Sequence, residues 1–311
     1  MLIRLLLAFP FCIVAIYAVY SGFKYTRMIS NIFLGLIYTS PSSQTADKVQ
    51  GEKITILDSA DKEIDALLVE HKGAGSVVIF CHESGAGKES WSKYAYFFPS
   101  LRFHVLSTDF GPDEPETHEE NSLTQWPCED DVERLLTVIR WAKKAFRPGT
   151  PIVLFGISKG ANVAFAASFR DAAVSAVIAD GLFSMKEIFR DYIKKWAPIL
   201  VRPNLFGESY PRWVIHIFTE LGFWYCQKKS RKSFLDVEKM LRQRHAPLLM
   251  IHGERDDYIP VTHQRFLGEL GDDQSLTRLV VAGAGHNEAV TTSREVYEKE
   301  ITEFISRMKR V

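Results

Sequence analysis

No two of the four cysteines, at positions 12, 81, 128 and 226, have CxxC spacing, and one of them falls in an apolar leader. Neither a disulfide framework nor a cysteine zinc site is supported. Net charge is lacking as well: 38 Lys and Arg balance 38 Asp and Glu, so nothing points to a nucleic-acid partner. There is no internal repeat and no long low-complexity tract. Two ligand-binding motifs fail where the chain comes nearest to them. A P-loop would need glycine at 82 and Ser or Thr after Lys88, but the chain has His82 and Glu89; a zincin helix would need a second histidine at 86, which is Ala86. No metal or cofactor is expected.

The 311 residues are 46% hydrophobic, enough for one large core or two modest ones. The apolar content is first concentrated at the N-terminus. Leu2 to Tyr20 is apolar except for Arg4, about the length that spans a bilayer core, and Lys24 and Arg27 close it. A cleaved signal peptide would want small residues near its end, where Tyr17, Val19 and Tyr20 stand instead. The reading is therefore a retained single-pass membrane anchor, with a signal peptide second and a buried helix third. A shorter apolar patch, Met28 to Tyr38, is expected at the interface or against the domain. Charge is similar on both flanks, so orientation stays open. The expected organisation is an anchor and interfacial segment over 1–40, a linker over 41–52, and one catalytic domain over 53–311.

Within that domain, continuous apolar runs alternate with helical spacing, the signature of a parallel sheet covered on both faces. Lys53–Leu57 and Ile64–Val69 read as an antiparallel pair. Val77–Cys81, Phe103–Thr108, Ile152–Phe155, Val174–Ala179, Pro247–Ile251 and Leu276–Val281 follow as further strands. Val132, Leu135, Leu136, Ile139 and Ala142 recur at helical spacing behind an acidic first turn, Glu129 to Asp131. The acidic, turn-rich segment Pro112–Pro127 reads as a solvated loop. From 183 to 245 the alternation breaks into helical stretches around 185–196, 210–226 and 233–243, crowded with Trp196, Trp213, Phe223 and Trp224 among other aromatics. This insertion is expected to cap the C-terminal edge of the sheet. Its aromatics form the cap's own core, with an acyl pocket or lipid contact as the sharper alternative.

The chemistry starts at Gly156-Ile157-Ser158-Lys159-Gly160, a G-x-S-x-G run set between a predicted strand and a predicted helix. A serine on such a strained turn is exposed, with a helix N-terminus aimed at charge developing beside it. Acyl transfer further needs a base, an acid to orient the base, and donors for the oxyanion. Ser158, Asp256 and His286 occur in that chain order, nucleophile, acid, base, each just past a predicted strand. Through FCHESGAG, GISKG, IHGERDDYIP and AGAGHNEA the chain from about residue 52 resembles the α/β-hydrolase superfamily, in particular its capped serine-hydrolase branch. The resemblance implies an α/β-hydrolase fold: a mostly parallel, eight-stranded-type sheet with helices on both faces and a helical cap insertion. It places the family's HG-x-x-D-x-x-[VI]-P pattern on His252, Gly253, Asp256, Ile259 and Pro260. It also implies oxyanion donors in the backbone N–H groups of Lys159 and Ser84, although Glu83 stands where the family's loop has glycine.

Alternatives for the acid are the adjacent Asp257 and, after the strand following the elbow, Asp180, whose plainer role is a cap or loop hydrogen bond. His82 and His252 read as loop-bracing residues, and His71, His104, His118, His216, His245 and His263 as structural. The expected function is a serine hydrolase acting on an ester or thioester, a small-molecule or lipid-like acyl substrate. A serine peptidase or amidase and a silent hydrolase-fold scaffold are the alternatives.

Overall fold

The computed structural model describes residues 2–35, 50–110, 125–202, 207, 209–243, 246–271 and 275–308. The expected linker at 41–52 and the acidic loop after Pro112 lie largely outside them. The chain divides into two compact units, one holding the N-terminal helix with Lys186–Arg231 and the other holding the remainder.

The larger unit is built on one eight-stranded sheet. Its strands are β1 (Glu52–Leu57), β2 (Glu63–Val69), β3 (Ser76–Cys81), β4 (Phe103–Thr108), β5 (Ile152–Ile157), β6 (Val174–Asp180), β7 (Leu248–Gly253) and β8 (Leu276–Val281). Their spatial order is β1-β2-β4-β3-β5-β6-β7-β8. The pairs β1–β2 and β2–β4 are antiparallel and all others parallel. Every residue of β3, β5 and β7 is buried, as their unbroken apolar runs require. The edge strands β1 and β8 are only partly covered.

Helices close both faces. Glu129–Ala145 and Lys159–Ser168 pack Val132, Leu135, Ile139 and Val163 onto one side. Trp91, Tyr94 and the last helix, Arg294–Met308, cover the other with Tyr297, Ile301, Phe304 and Ile305. Val296 of the same helix is exposed; the helix turns it away from the stripe that meets the sheet.

The sequence of connections reverses direction where β3 lies between β4 and β5, which leaves a crevice past the strand ends. Cys81 pairs with Gly156, Ile157 with Asp180, Asp180 with Ile251, and Gly253 with Val281. The loops after β3, β5, β6, β7 and β8 are thereby brought out along one edge. Helix Lys159–Ser168 leaves that edge so close to β3 that a Cβ on Gly160 would collide with the Cys81 carbonyl, and one on Gly156 with the Gly160 carbonyl.

The smaller unit takes in the N-terminal leader. Leu2–Leu34 is one continuous helix, running through both the apolar run 2–20 and the start of the patch at Met28. Its second half is packed: Phe33 stands edge-on to Phe189 and Tyr192, and Ser30 donates to the Gly222 carbonyl. Met185–Leu200 and Arg212–Ser230 are the partner helices. Beyond Arg231 the chain returns to the larger unit: Phe234 bridges to Cys128, and Leu235 and Val237 join the core of the sheet. Among the described residues, no helix is long and apolar enough to cross a membrane.

The close approach at the elbow sets a test of the fold. Gly160→Ala is expected to lower the unfolding free energy by about 3 kcal/mol or more, because backbone rather than a flexible side chain must yield. The urea midpoint of the variant measures it.

Candidate active site

Ser158 links β5 to the helix beginning at Lys159, with φ 50° and ψ −114°. A non-glycine residue holds such a conformation only where its surroundings over-determine it. Here the Ser158 N–H donates to the Asp180 carbonyl at the end of β6, at 2.7 Å, and its carbonyl accepts from Ala161 at 3.0 Å. The two flanking glycines leave the room this turn needs. The elbow read from the sequence is thus present as a strained turn anchored to the neighbouring strand.

The turn sets Ser158 Oγ 3.2 Å from His286 Nε2. His286 Nδ1 lies 2.7 Å from Asp256 Oδ2, while Asp256 Oδ1 accepts the N–H groups of Tyr258 at 2.9 Å and Ile259 at 2.7 Å. A carboxylate so held orients the ring with Nδ1 as donor and Nε2 facing the serine as acceptor. Asp257, one residue on, is exposed and outside this arrangement. His252 supports the acid loop, its Nε2 facing the Ile259 carbonyl at 2.7 Å, and the Tyr258 ring lies against His286, centroids 5.0 Å apart.

Asp180, the other acid considered, is fully buried and meets a different partner: its carboxyl accepts from the Tyr297 hydroxyl at 3.0 Å. Neither a helix cap nor a loop hydrogen bond, it belongs to the last helix's packing. Burial away from water raises its pKa to about 7, against the pull of Tyr297 and of the nearby His286 ring.

The loop after β3 carries His82, Glu83 and Ser84, all buried. His82 Nε2 accepts from the Phe110 N–H at 3.0 Å, which leaves its Nδ1 to donate to the Glu83 carbonyl at 2.7 Å. That is a brace between the β3 and β4 loops made by a neutral ring, and burial holds its pKa down. Glu83, the residue in the glycine position, accepts from the Tyr94 hydroxyl at 3.0 Å. Lys93 Nζ in turn donates to the Tyr94 oxygen at 2.9 Å and to the Asn287 carbonyl at 3.2 Å. The carboxylate therefore takes part in a buried chain of hydrogen bonds ending beside His286. Lys93, Tyr94, Asn287 and Tyr297 were not foreseen. The one available signal was a tyrosine at a buried position, whose hydroxyl needs a partner.

Lys159 stands at the first position of its helix. Its side chain turns inward: Nζ is 2.8 Å from Asp131 Oδ1, both groups buried. Asp131 Oδ2 accepts from the Cys128 N–H at 3.0 Å, so one carboxylate caps a helix and neutralises a lysine. Of the remaining histidines, His118 and His245 fall outside the described residues. His104 stacks on Phe146, 4.6 Å between centroids, and accepts from the His71 N–H. Among the described residues no cluster of three His, Cys, Asp or Glu side chains could hold a metal ion.

A mixed sheet of this strand order, with a serine on the turn after β5 and a histidine after β8, defines the class of α/β-hydrolase enzymes. The chain belongs to the alpha/beta hydrolase family, whose family model matches residues 78–299. No curated protein sequence matches it. Among solved structures it is similar to an esterase of Pyrococcus furiosus, with 16% identity, TM-score 0.61, 88% of this chain and 98% of the esterase covered. It is likewise similar to an alpha/beta hydrolase from a Penicillium species, with 17% identity, TM-score 0.61, and 84% and 100% covered. A serine hydrolase involved in carbazole degradation aligns at 18% identity and TM-score 0.54, over 83% of this chain and 99% of that one.

Two outcomes follow from the buried charges. Between the unfolded carboxyl's pKa near 3.9 and the folded value near 7, native Asp180 keeps a proton that the unfolded chain has released. Stability therefore falls as pH rises through that window, by about 1.4 kcal/mol per unit and about 4 kcal/mol in all. Asp180→Asn should lose this decline, leaving a flatter stability-against-pH curve from chemical denaturation at pH 4 to 7. Asp131→Ala strands a buried ammonium and is expected to cost about 3–5 kcal/mol, which pairing it with Lys159→Met should largely restore.

Proposed function

We propose that this protein is a serine hydrolase cleaving a carboxylic ester or thioester through an acyl-enzyme, with Ser158 as nucleophile, His286 as base and Asp256 as the acid that orients it. The observation that carries the reading is the unbroken hydrogen-bonded series from Ser158 Oγ to His286 to Asp256, at 3.2 and 2.7 Å. As Oγ attacks the acyl carbon, its proton passes to His286 Nε2, and Asp256 stabilises the imidazolium across the Nδ1 hydrogen bond. The carbonyl oxygen becomes an oxyanion. The Lys159 N–H at the helix start, with the Ser84 N–H from the β3 loop, is assigned to receive it. The imidazolium then returns the proton to the departing alcohol or thiol. Water, deprotonated by the same ring, releases the acid and restores the serine.

Within this reading the substrate is a small or lipid-like acyl compound, and the N-terminal helix holds the protein at a membrane. The support for the membrane is chemical: an apolar N-terminal helix whose outer face bears Ile13, Ile16, Tyr20 and Phe23 exposed.

Ser158→Ala should lower turnover of a p-nitrophenyl acyl ester by several orders of magnitude, and a fluorophosphonate should label the wild-type chain at Ser158 and leave the variant unlabelled. An unlabelled, folded wild type would make the protein a scaffold. Turnover of aminoacyl amides above acyl esters and thioesters would make it a peptidase or amidase.

A further inference from the structure

Exposed apolar side chains are not spread over this protein. Eleven of the fourteen large hydrophobic residues exposed among the described residues belong to the smaller helical unit, formed by the N-terminal helix and Lys186–Arg231. On Arg212–Ser230 they are Trp213, Ile217, Leu221 and Trp224, at spacings of four, four and three, which is one face of a helix. The tryptophans are 65% and 57% exposed. On the N-terminal helix, Ile13, Ile16, Tyr17, Tyr20 and Phe23 form a comparable face. A contiguous apolar surface of this kind on a helix marks an interaction site.

Charge is segregated in the same way. Residues 1–36 and 186–231 contain twelve Lys or Arg against four Asp or Glu, a formal charge of +8. The rest of the chain, with 26 against 34, carries −8, so the zero net charge of the whole conceals a strongly basic unit. The two helices run in the same direction. Gly22 lies against Phe218, Ser30 donates to Gly222, and Lys229 Nζ donates to Asn31 at 3.0 Å. Lys24, Arg27, Lys228 and Lys229 are exposed toward the later turns, with the apolar faces beginning in the earlier ones. Glu220, the carboxylate on the Trp213–Trp224 face, is paired with Lys186 at 3.2 Å.

We infer that the helix Arg212–Ser230 is a second membrane-contact element, docking on an anionic lipid bilayer through Trp213, Ile217, Leu221 and Trp224, with the basic side chains meeting the head groups. An apolar helix face bearing tryptophan and flanked by cations is what an interfacial helix requires. The charge excess selects anionic over zwitterionic lipid, and a second copy of this chain with the same +8 unit would repel it. The inference rests on the membrane association proposed above and extends it from the N-terminal helix to the insertion.

The test uses the full chain with vesicles of phosphatidylcholine, with and without one-third phosphatidylglycerol. Binding is expected to be about tenfold or more tighter on the anionic vesicles, and Lys24→Gln/Arg27→Gln/Lys228→Gln should remove that preference. Lipids brominated in the acyl chains should quench tryptophan emission, and the quenched part should disappear in Trp213→Phe/Trp224→Phe, a pair that leaves the fold intact by circular dichroism. Vesicle binding without quenching of Trp213 and Trp224 would overturn this inference while leaving the N-terminal association standing. No vesicle binding at all would remove both. Concentration-dependent dimerisation that shields these tryptophans without lipid would assign the face to a second copy and overturn the proposal.

Discussion

The hydrogen bond from the Ser158 N–H to the Asp180 carbonyl joins two strands at the point where the chain is most strained. A serine at φ 50° is unfavourable by about 1–3 kcal/mol on its own. Parallel pairing of β5 and β6 brings the acceptor to the right height, and helix Lys159–Ser168 pulls the chain away at once, so no relaxed alternative is available. The same pairing fixes the separation of Ser158 from the loops after β7 and β8, which carry Asp256 and His286. Core packing behind the sheet is thereby converted into the position of one hydroxyl group.

Charge inside the larger unit is handled by pairing. Lys159 and Asp131 neutralise one another, Asp131 also completes a helix start, and Glu83 is met by Tyr94. Asp180 answers burial differently, by holding its proton to near neutral pH. These groups surround the serine and histidine on the side of the core. Removing any one leaves a polar atom away from water, a cost of about 1–3 kcal/mol for a neutral group and more for a charge. Such a network keeps the elbow, the β3 loop and the His286 loop in one arrangement.

The helical unit follows a different logic. Its inner faces are packed through Phe33, Phe189 and Phe223, yet its outer faces keep large apolar side chains in contact with water. The membrane association proposed above rests on this combination of a +8 charge and an apolar exterior.

Much of the larger unit was legible in the sequence alone. Unbroken apolar runs identified the buried strands, because a strand covered on both faces has no solvent side to alternate with. G-x-S-x-G identified the elbow, because a Cβ at either glycine would strike backbone. The order Ser158, Asp256, His286 indicated which strand ends to compare. What the tertiary structure decided was everything that depends on distance between chain-remote groups: that Asp256 rather than Asp257 or Asp180 reaches His286, that Asp180 meets Tyr297, that Lys159 turns to Asp131, and that Glu83 is held by Tyr94. The N-terminal helix shows the same limit. A run of apolar residues states that burial is wanted, but only the packing of Phe33 against Phe189 shows that half of that helix finds it within the protein. Local sequence encodes periodicity and steric room; partners remote in the chain are selected by the sheet order and the packing upon it, which periodicity alone does not contain.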